Sequence, residues 1–221
     1  MSNITINPAI QSNFAGTFYK SSFGYTQGDD LSDPNLRQFL RPGIVIASAT
    51  QPMWGGLAIS ETLAAGLTAG TLPLTGESVE LGSNLAPATS ISAGAAGCLT
   101  GFTVFRQSTA LIQSAQSRVP MAGPQMAINF YRTGTKARVV VQALLAAAQA
   151  WAGGVSDPAT IYWDTANLWV TNAAGSGIIG PLPGITLSEP PNTTNSNVVV
   201  YSSGTGFANW NPSGAAVVLQ I

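Results

Sequence analysis

An all-β fold, a jelly roll, β-sandwich or barrel-like domain carrying an extended N-terminal arm and at most one short helix, is predicted by three features of the 221-residue chain. Ten short apolar or β-branched runs follow one another from residue 43 onward. The chain's 24 Gly and 14 Pro punctuate those runs. Only one stretch is built of strong helix formers. The implied division is an arm over residues 1–42 and a β-rich domain over residues 43–221.

The arm differs in kind from the rest. It holds six of the 17 charged side chains, among them Arg37 and Arg41, and an aromatic series of Phe14, Phe18, Tyr19, Phe23 and Tyr25 set among Gly, Ser and Thr. That series keeps neither the 2.0 period of a strand nor the 3.6 period of a helix, so it reads as irregular, extended chain. Such rings can anchor the arm on a partner or fill the chain's own core.

Strands are expected at residues 43–47, 56–60, 78–81, 98–105, 126–131, 137–143, 160–164, 168–171, 198–201 and 215–221, several rich in Val, Ile or aromatic residues. The runs around Tyr162-Trp163-Asp164 and Trp169-Val170-Thr171 flank a short polar segment and predict a hairpin, with Asn167 suited to the left-handed turn position. The helix is expected at residues 143–151, ended by Gly153-Gly154, with Asp157-Pro158 opening the next turn. Residues 180–197 contain Pro181, Pro183, Pro190 and Pro191 and are read as a loop, least ordered at 190–197.

Charge is the most informative scarcity. Eight Lys+Arg stand against nine Asp+Glu, only 8% of the residues are charged, and there is no histidine. Ser and Thr, 42 together, carry the polarity instead. Mean hydropathy is +0.24 and net charge −1, the reverse of a chain that stays unfolded. No charged side chain occurs at residues 81–105, 165–188 or 190–221. A chain of this size must expose part of such segments, and charge-depleted surface is what a subunit interface uses.

The same composition excludes chemistry. Without histidine there is no Ser-His-Asp or Cys-His arrangement and no Cys/His zinc site. The carboxylates are scattered without a spacing that singles out an acid/base pair. Basic residues cluster only at Arg132, Lys136 and Arg138, too few to neutralise a phosphate backbone, so no nucleic-acid partner is expected. The opening residues lack the pattern of a secretory signal, and the most apolar stretch, 139–152, is interrupted by Gln142 and Gln149. No membrane span is therefore expected, and synthesis in a cytoplasm is. Cys98, in an apolar run, reads as a small buried hydrophobe.

Three weaker candidates complete the reading. The run 28–35, with Asp29, Asp30, Ser32 and Asp33, offers oxygen ligands but lacks a closing glutamate, and reads as turn chemistry ahead of calcium binding. Two glycosylation patterns, at Asn3 and Asn192, are idle without secretion. Trp54, Trp151, Trp163, Trp169 and Trp210 could include a sugar-stacking platform, though tryptophan more often supplies core or interface area.

Several stretches carry a family resemblance. Val119-Pro120, the run 126–134, the strand 136–141 and Ile161-Tyr162-Trp163-Asp164, with Phe14-Ala15-Gly16 and Pro42-Gly43-Ile44-Val45 upstream, resemble the structural cement proteins of tailed bacteriophage capsids. The resemblance covers about two thirds of the chain in outline. It implies a non-enzymatic, β-rich virion protein without cofactors, located on the capsid exterior. Such a protein clamps neighbouring copies of the major capsid protein, usually as a dimer or trimer. On this reading Phe14, Phe18, Tyr19, Phe23 and Tyr25 are the expected anchors, and Arg37 and Arg41 meet acidic groups at the rim. A glycan-recognising tail-fibre or adhesin domain is the alternative.

Overall fold

A five-stranded barrel forms first along the chain. The computed structural model describes residues 24–45, 49, 51–62, 84–87, 99–105 and 119–221, so the candidate strand at 78–81 and Cys98 lie outside the described residues. The barrel strands are β1 (Arg41–Val45), β2 (Ala58–Thr62), β3 (Asn84–Pro87), β4 (Gly101–Val104) and β5 (Ala127–Arg132), in the spatial order β1-β3-β2-β4-β5, with β5 closing on β1. All pairs are antiparallel except β1 with β3. Inside the barrel Thr103 is fully buried. Its Oγ1 donates to the carbonyl of Trp54 at 2.6 Å and accepts from the amide of Leu57 at 2.9 Å, which fixes the turn through Gly55 and Gly56.

A second sheet packs on the barrel. Its long strand, β12 (Phe207–Gln220), pairs along one edge with β11 (Asn192–Ser202) and β10 (Thr186–Leu187), and along the other with β6 (Arg138–Gln142). Edge-to-face contacts of Phe102 with Trp163 and Phe105 with Trp210, and a tilted contact of Trp54 with Tyr201, knit barrel and remainder into one apolar core.

Strand alternation explains why these strands read as continuous apolar runs rather than alternating ones. Val139 and Val141 of β6, Val217 and Leu219 of β12, and Val199 of β11 point into the main core. Their neighbours Val140, Ala216, Val218 and Val198 point the other way and form a second, separate core. A sheet apolar on both faces needs cover on both.

The second cover is chain that precedes β1. Residues 24–32 run as a strap across the outer edges of β11 and β6, with Tyr25 and Leu31 packed on the second core. Asn197 donates to the carbonyl of Tyr25 and Gln27 to that of Asn197, both at 2.8 Å. Gly28 then donates to Val140 at 2.8 Å, Val140 to Asp29 at 3.1 Å, and Leu31 to Arg138 at 2.9 Å. Between these two contacts the chain turns through Thr26-Gln27-Gly28-Asp29, the amide of Asp29 donating to Thr26 at 3.1 Å and Gly28 taking φ +87°. At this point a Cβ on Gly28 would lie 2.6 Å from the Cα of Gly55 and from a ring carbon of Phe105. Of the span set apart as an arm, residues 24–32 are thus laid on the domain and 41–42 belong to β1 itself. After the strap a six-residue 3-10 helix (Pro34–Phe39), capped by the Asp33 carboxylate and without a buried residue, leads into β1.

Other expectations meet particular outcomes. The helix forms as α1 (Leu145–Ala152) and stops at Gly153 and Gly154, the latter at φ +68°. The hairpin forms from β7 (Tyr162–Asp164) and β8 (Trp169–Thr171), joined by β9 (Ile178–Ile179) into a three-stranded sheet. Its left-handed residue is Leu168, at φ +60°, rather than Asn167. The Asp164 carboxylate takes the amides of Ala166 and Asn167, both at 2.9 Å, and so holds Asn167 in the preceding turn position. The loop expected at 180–197 contains β10 and the first six residues of β11. There the Asn and Ser residues sit at two register shifts, with Asn195 at φ +64°, so turn chemistry is built into a bulged strand. Strand β3 lies between the strands expected at 78–81 and 98–105, where none was expected.

Gly28→Ala combines left-handed strain with overpacking against backbone, and the expected loss is about 2–4 kcal/mol in denaturant titration. Gly204→Ala is the control: it meets nothing within 4 Å and should leave the midpoint unchanged.

Candidate functional site

The charge-free stretch from Pro190 to the C-terminus folds mainly as the β11–β12 hairpin, and much of it faces solvent. Residues 194, 195, 200, 202–206, 209 and 211–213 are exposed, and none is charged. Register decides which side chains share the outer face. Val199 lies opposite Trp210 and Tyr201 opposite Ala208, all four packed on or within the main core. The next residues along each strand therefore point outward, so Val200 opposite Asn209 and Asn211 opposite Val198 give that face its character. Val200 is 51% exposed, an apolar side chain among amides and hydroxyls. This face can bury area against a neutral partner with little ionic desolvation.

Of the residues singled out in the sequence, Phe14, Phe18, Tyr19 and Phe23 lie outside the described residues. Tyr25 is half-buried in the strap, and its hydroxyl donates to Glu189 Oε2 at 3.2 Å and to the carbonyl of Pro190 at 3.1 Å. Its ring serves the domain's second core. Arg37 is exposed in the last turn of the 3-10 helix, near the 43% exposed Phe39 in sequence, and Arg41 opens β1 opposite Phe130. The structure therefore assigns Tyr25 to the second sheet and the two arginines to the barrel side. Sequence reasoning did not single out Val200, Asn209 or Asn211, although the charge-free run that contains them was visible.

The tryptophans are spent mainly on packing: Trp54, Trp151 and Trp163 are buried, and the half-buried Trp210 sits edge-on to Phe105. In the acidic run, Asp30 Oδ1 accepts from the amide of Ser32 at 3.0 Å and Oδ2 from the hydroxyl of Tyr131 at 2.8 Å. Asp33 Oδ1 accepts from the amide of Asn35 at 2.8 Å. These are turn and latch contacts. Among the described residues no three acidic or cysteine side chains gather as a metal site, and no helix is long and apolar enough to cross a membrane.

The strap carries the site's unusual electrostatics. Burial, and secondarily the neighbouring Asp30, push the Asp29 carboxyl up from 3.8 to about 7. Burial first, then the charge of Glu189 and the bond to it, raise the Tyr25 phenol. Glu189 is itself shared, its Oε1 accepting from Arg138 Nη1 at 3.0 Å.

Because the folded pKa of Asp29 lies above its unfolded value, its contribution is fully present below about pH 4 and is lost as pH rises through about 7. Asp29→Asn should therefore raise the melting temperature relative to the parent chain above pH 7 and flatten the pH dependence between these limits. An unchanged pH profile would contradict the assignment.

In comparisons with protein-family models, curated proteins and solved structures, nothing matched this chain, so the surface described above stands on its own geometry.

Proposed function

We propose that this chain is a non-catalytic virion component, a cement or decoration protein that binds the outer surface of an expanded capsid and clamps neighbouring major capsid proteins. The observation that carries this reading is the charge-free hairpin of β11 and β12, much of it facing solvent, with Val200 exposed near its turn. A protein that works free in solution gains from surface charge, whereas one held in an assembly gains from neutral surface it can cover. The absence of histidine, the scattered carboxylates and the resemblance of the 119–164 region to capsid cement proteins point the same way.

On this reading Phe14, Phe18, Tyr19 and Phe23 anchor the chain on the shell, Arg37 and Arg41 meet acidic groups at the rim, and the neutral hairpin rests on the neighbouring subunit. Binding stabilises only the shell geometry that presents the site, and repeated copies, as dimers or trimers, add avidity. The protein then resides on the capsid exterior after synthesis in the host cytoplasm.

The test is co-sedimentation with expanded shells that lack the protein, across a wide range of salt. Saturable binding that survives high salt is expected, because the contacts are apolar and neutral. Val200→Glu should weaken that binding at least about tenfold, the loss of one anchor contact of about 1.4 kcal/mol or more, while leaving the melting temperature within a degree or so. Joint replacement of Phe14, Phe18 and Phe23 by Ala should release the protein from shells. A well-folded protein that binds no shell would overturn the reading.

A further inference from the structure

The strap over the second core is built as a latch rather than as a strand of the sheet. Its downstream link to β1 is the 3-10 helix, in which no residue is buried, so the helix itself adds little hold on the strap. Its upstream contact is the bulged part of β11 at Asn195–Asn197, where the ladder is already interrupted. Between these ends it is held by the packing of Tyr25 and Leu31 on the second core, the Tyr25 hydroxyl on Glu189 and Pro190, and a set of backbone and side-chain hydrogen bonds. Six backbone hydrogen bonds cross to β11, β6 and Phe105, and Gln27 Oε1 accepts from the amide of Val199 at 2.8 Å. Ser32 Oγ accepts from the amide of Arg138 at 2.8 Å, and Asp30 holds Tyr131. One of its polar groups is left over: among the described residues Gln27 Nε2 is buried without a partner, which costs free energy.

We propose that residues 24–32 are a releasable strap, which lifts as one unit from β6, β12 and β11 while the barrel stays folded, uncovering Val140, Val198, Ala216 and Val218, with the charge on the Asp29–Asp30 pair setting how often it opens. The inference goes beyond the capsid reading and does not depend on it. The barrel is closed without the strap, through β5 and β1, and the aromatic contacts that join the barrel to the rest of the molecule involve no strap residue.

The charged and titratable groups around Asp29 are countable by element. The strap itself supplies Asp30 and Tyr25, and Asp33 follows it; β6 supplies Arg138, β5 supplies Tyr131, and the β10–β11 connection supplies Glu189. Neither β11, Phe105 nor the Gly55–Gly56 turn adds a charged side chain. Arg138 is engaged by Glu189, and among the described residues no ion pair joins a cation to Asp29. Ionisation puts a charge on Asp29 where burial, first, and then its neighbour Asp30 oppose it, and opening, which hydrates Asp29 more fully, relieves that cost.

Hydrogen exchange on the intact full-length protein tests this. The amides of Gln27, Gly28, Leu31, Val140, Asn197 and Val199 all donate across the strap, while those of Thr103, Met53 and Ala122 report on the barrel. The six strap amides should share one opening equilibrium, less protected than the barrel set. Corrected for intrinsic exchange rates, their protection should fall about tenfold between about pH 6 and pH 8.5. Asp29→Asn, isosteric with the protonated acid, should abolish that fall while keeping the shared opening. Exchange of the strap amides only together with the barrel would overturn the releasable unit. A fall that persists in Asp29→Asn would overturn its control by the carboxylate pair.

Discussion

The constraint on which the architecture depends is that β6, the run 215–219 of β12 and the neighbouring Val198 and Val199 of β11 are apolar on both faces. Val139-Val140-Val141 and the run from Ala215 to Leu219 are buried throughout. Alternate residues of these strands enter two different cores, one shared with the barrel and one beneath the strap. Burying such side chains is worth about 1.5–3 kcal/mol each, so neither face can be left to water. The barrel covers one face. The other falls to chain that, by its polarity and glycine content, would otherwise be an unremarkable lead-in to β1.

Small residues make that cover geometrically possible. Gly28 passes the Gly55–Gly56 turn so closely that a Cβ on Gly28 or Gly55 would meet the other's backbone, and a Cβ on Gly56 would lie 2.7 Å from the Gln27 side chain. That turn is in turn set by Thr103 from inside the barrel. A buried hydroxyl in β4 therefore positions the place where the strap crosses. Because the amide of Phe105 donates to Gly28 at 2.8 Å, the strap touches barrel and sheet at one residue.

Much of the fold was legible because its signals are local. Gly and Pro punctuation marked the strands, Gly153-Gly154 marked the helix end, and the short polar segment 165–167 between two apolar runs marked the hairpin. What could not be read was non-local. Nothing in residues 24–32 says that their partners lie at 138–140 and 197–199, more than a hundred residues away. The Asn/Ser/Thr-rich start of β11 carries turn chemistry because its ladder is bulged, and so it resembled a loop. The candidate surface was half visible: the charge-free run was plain, but only the register of β11 on β12 tells that Val200 and Asn209 face outward while Val199 and Trp210 do not.

The most direct test of this account is a chain beginning at Asp33, compared with the same chain supplied with a synthetic peptide of residues 24–32. The account predicts that the shortened chain keeps its β-sheet circular dichroism but melts at lower temperature and binds a hydrophobic dye. The peptide should reverse both effects by refilling the vacated face. A shortened chain that melts with the full-length protein and binds no dye would show that the second face needs no cover, and would contradict the account at its base.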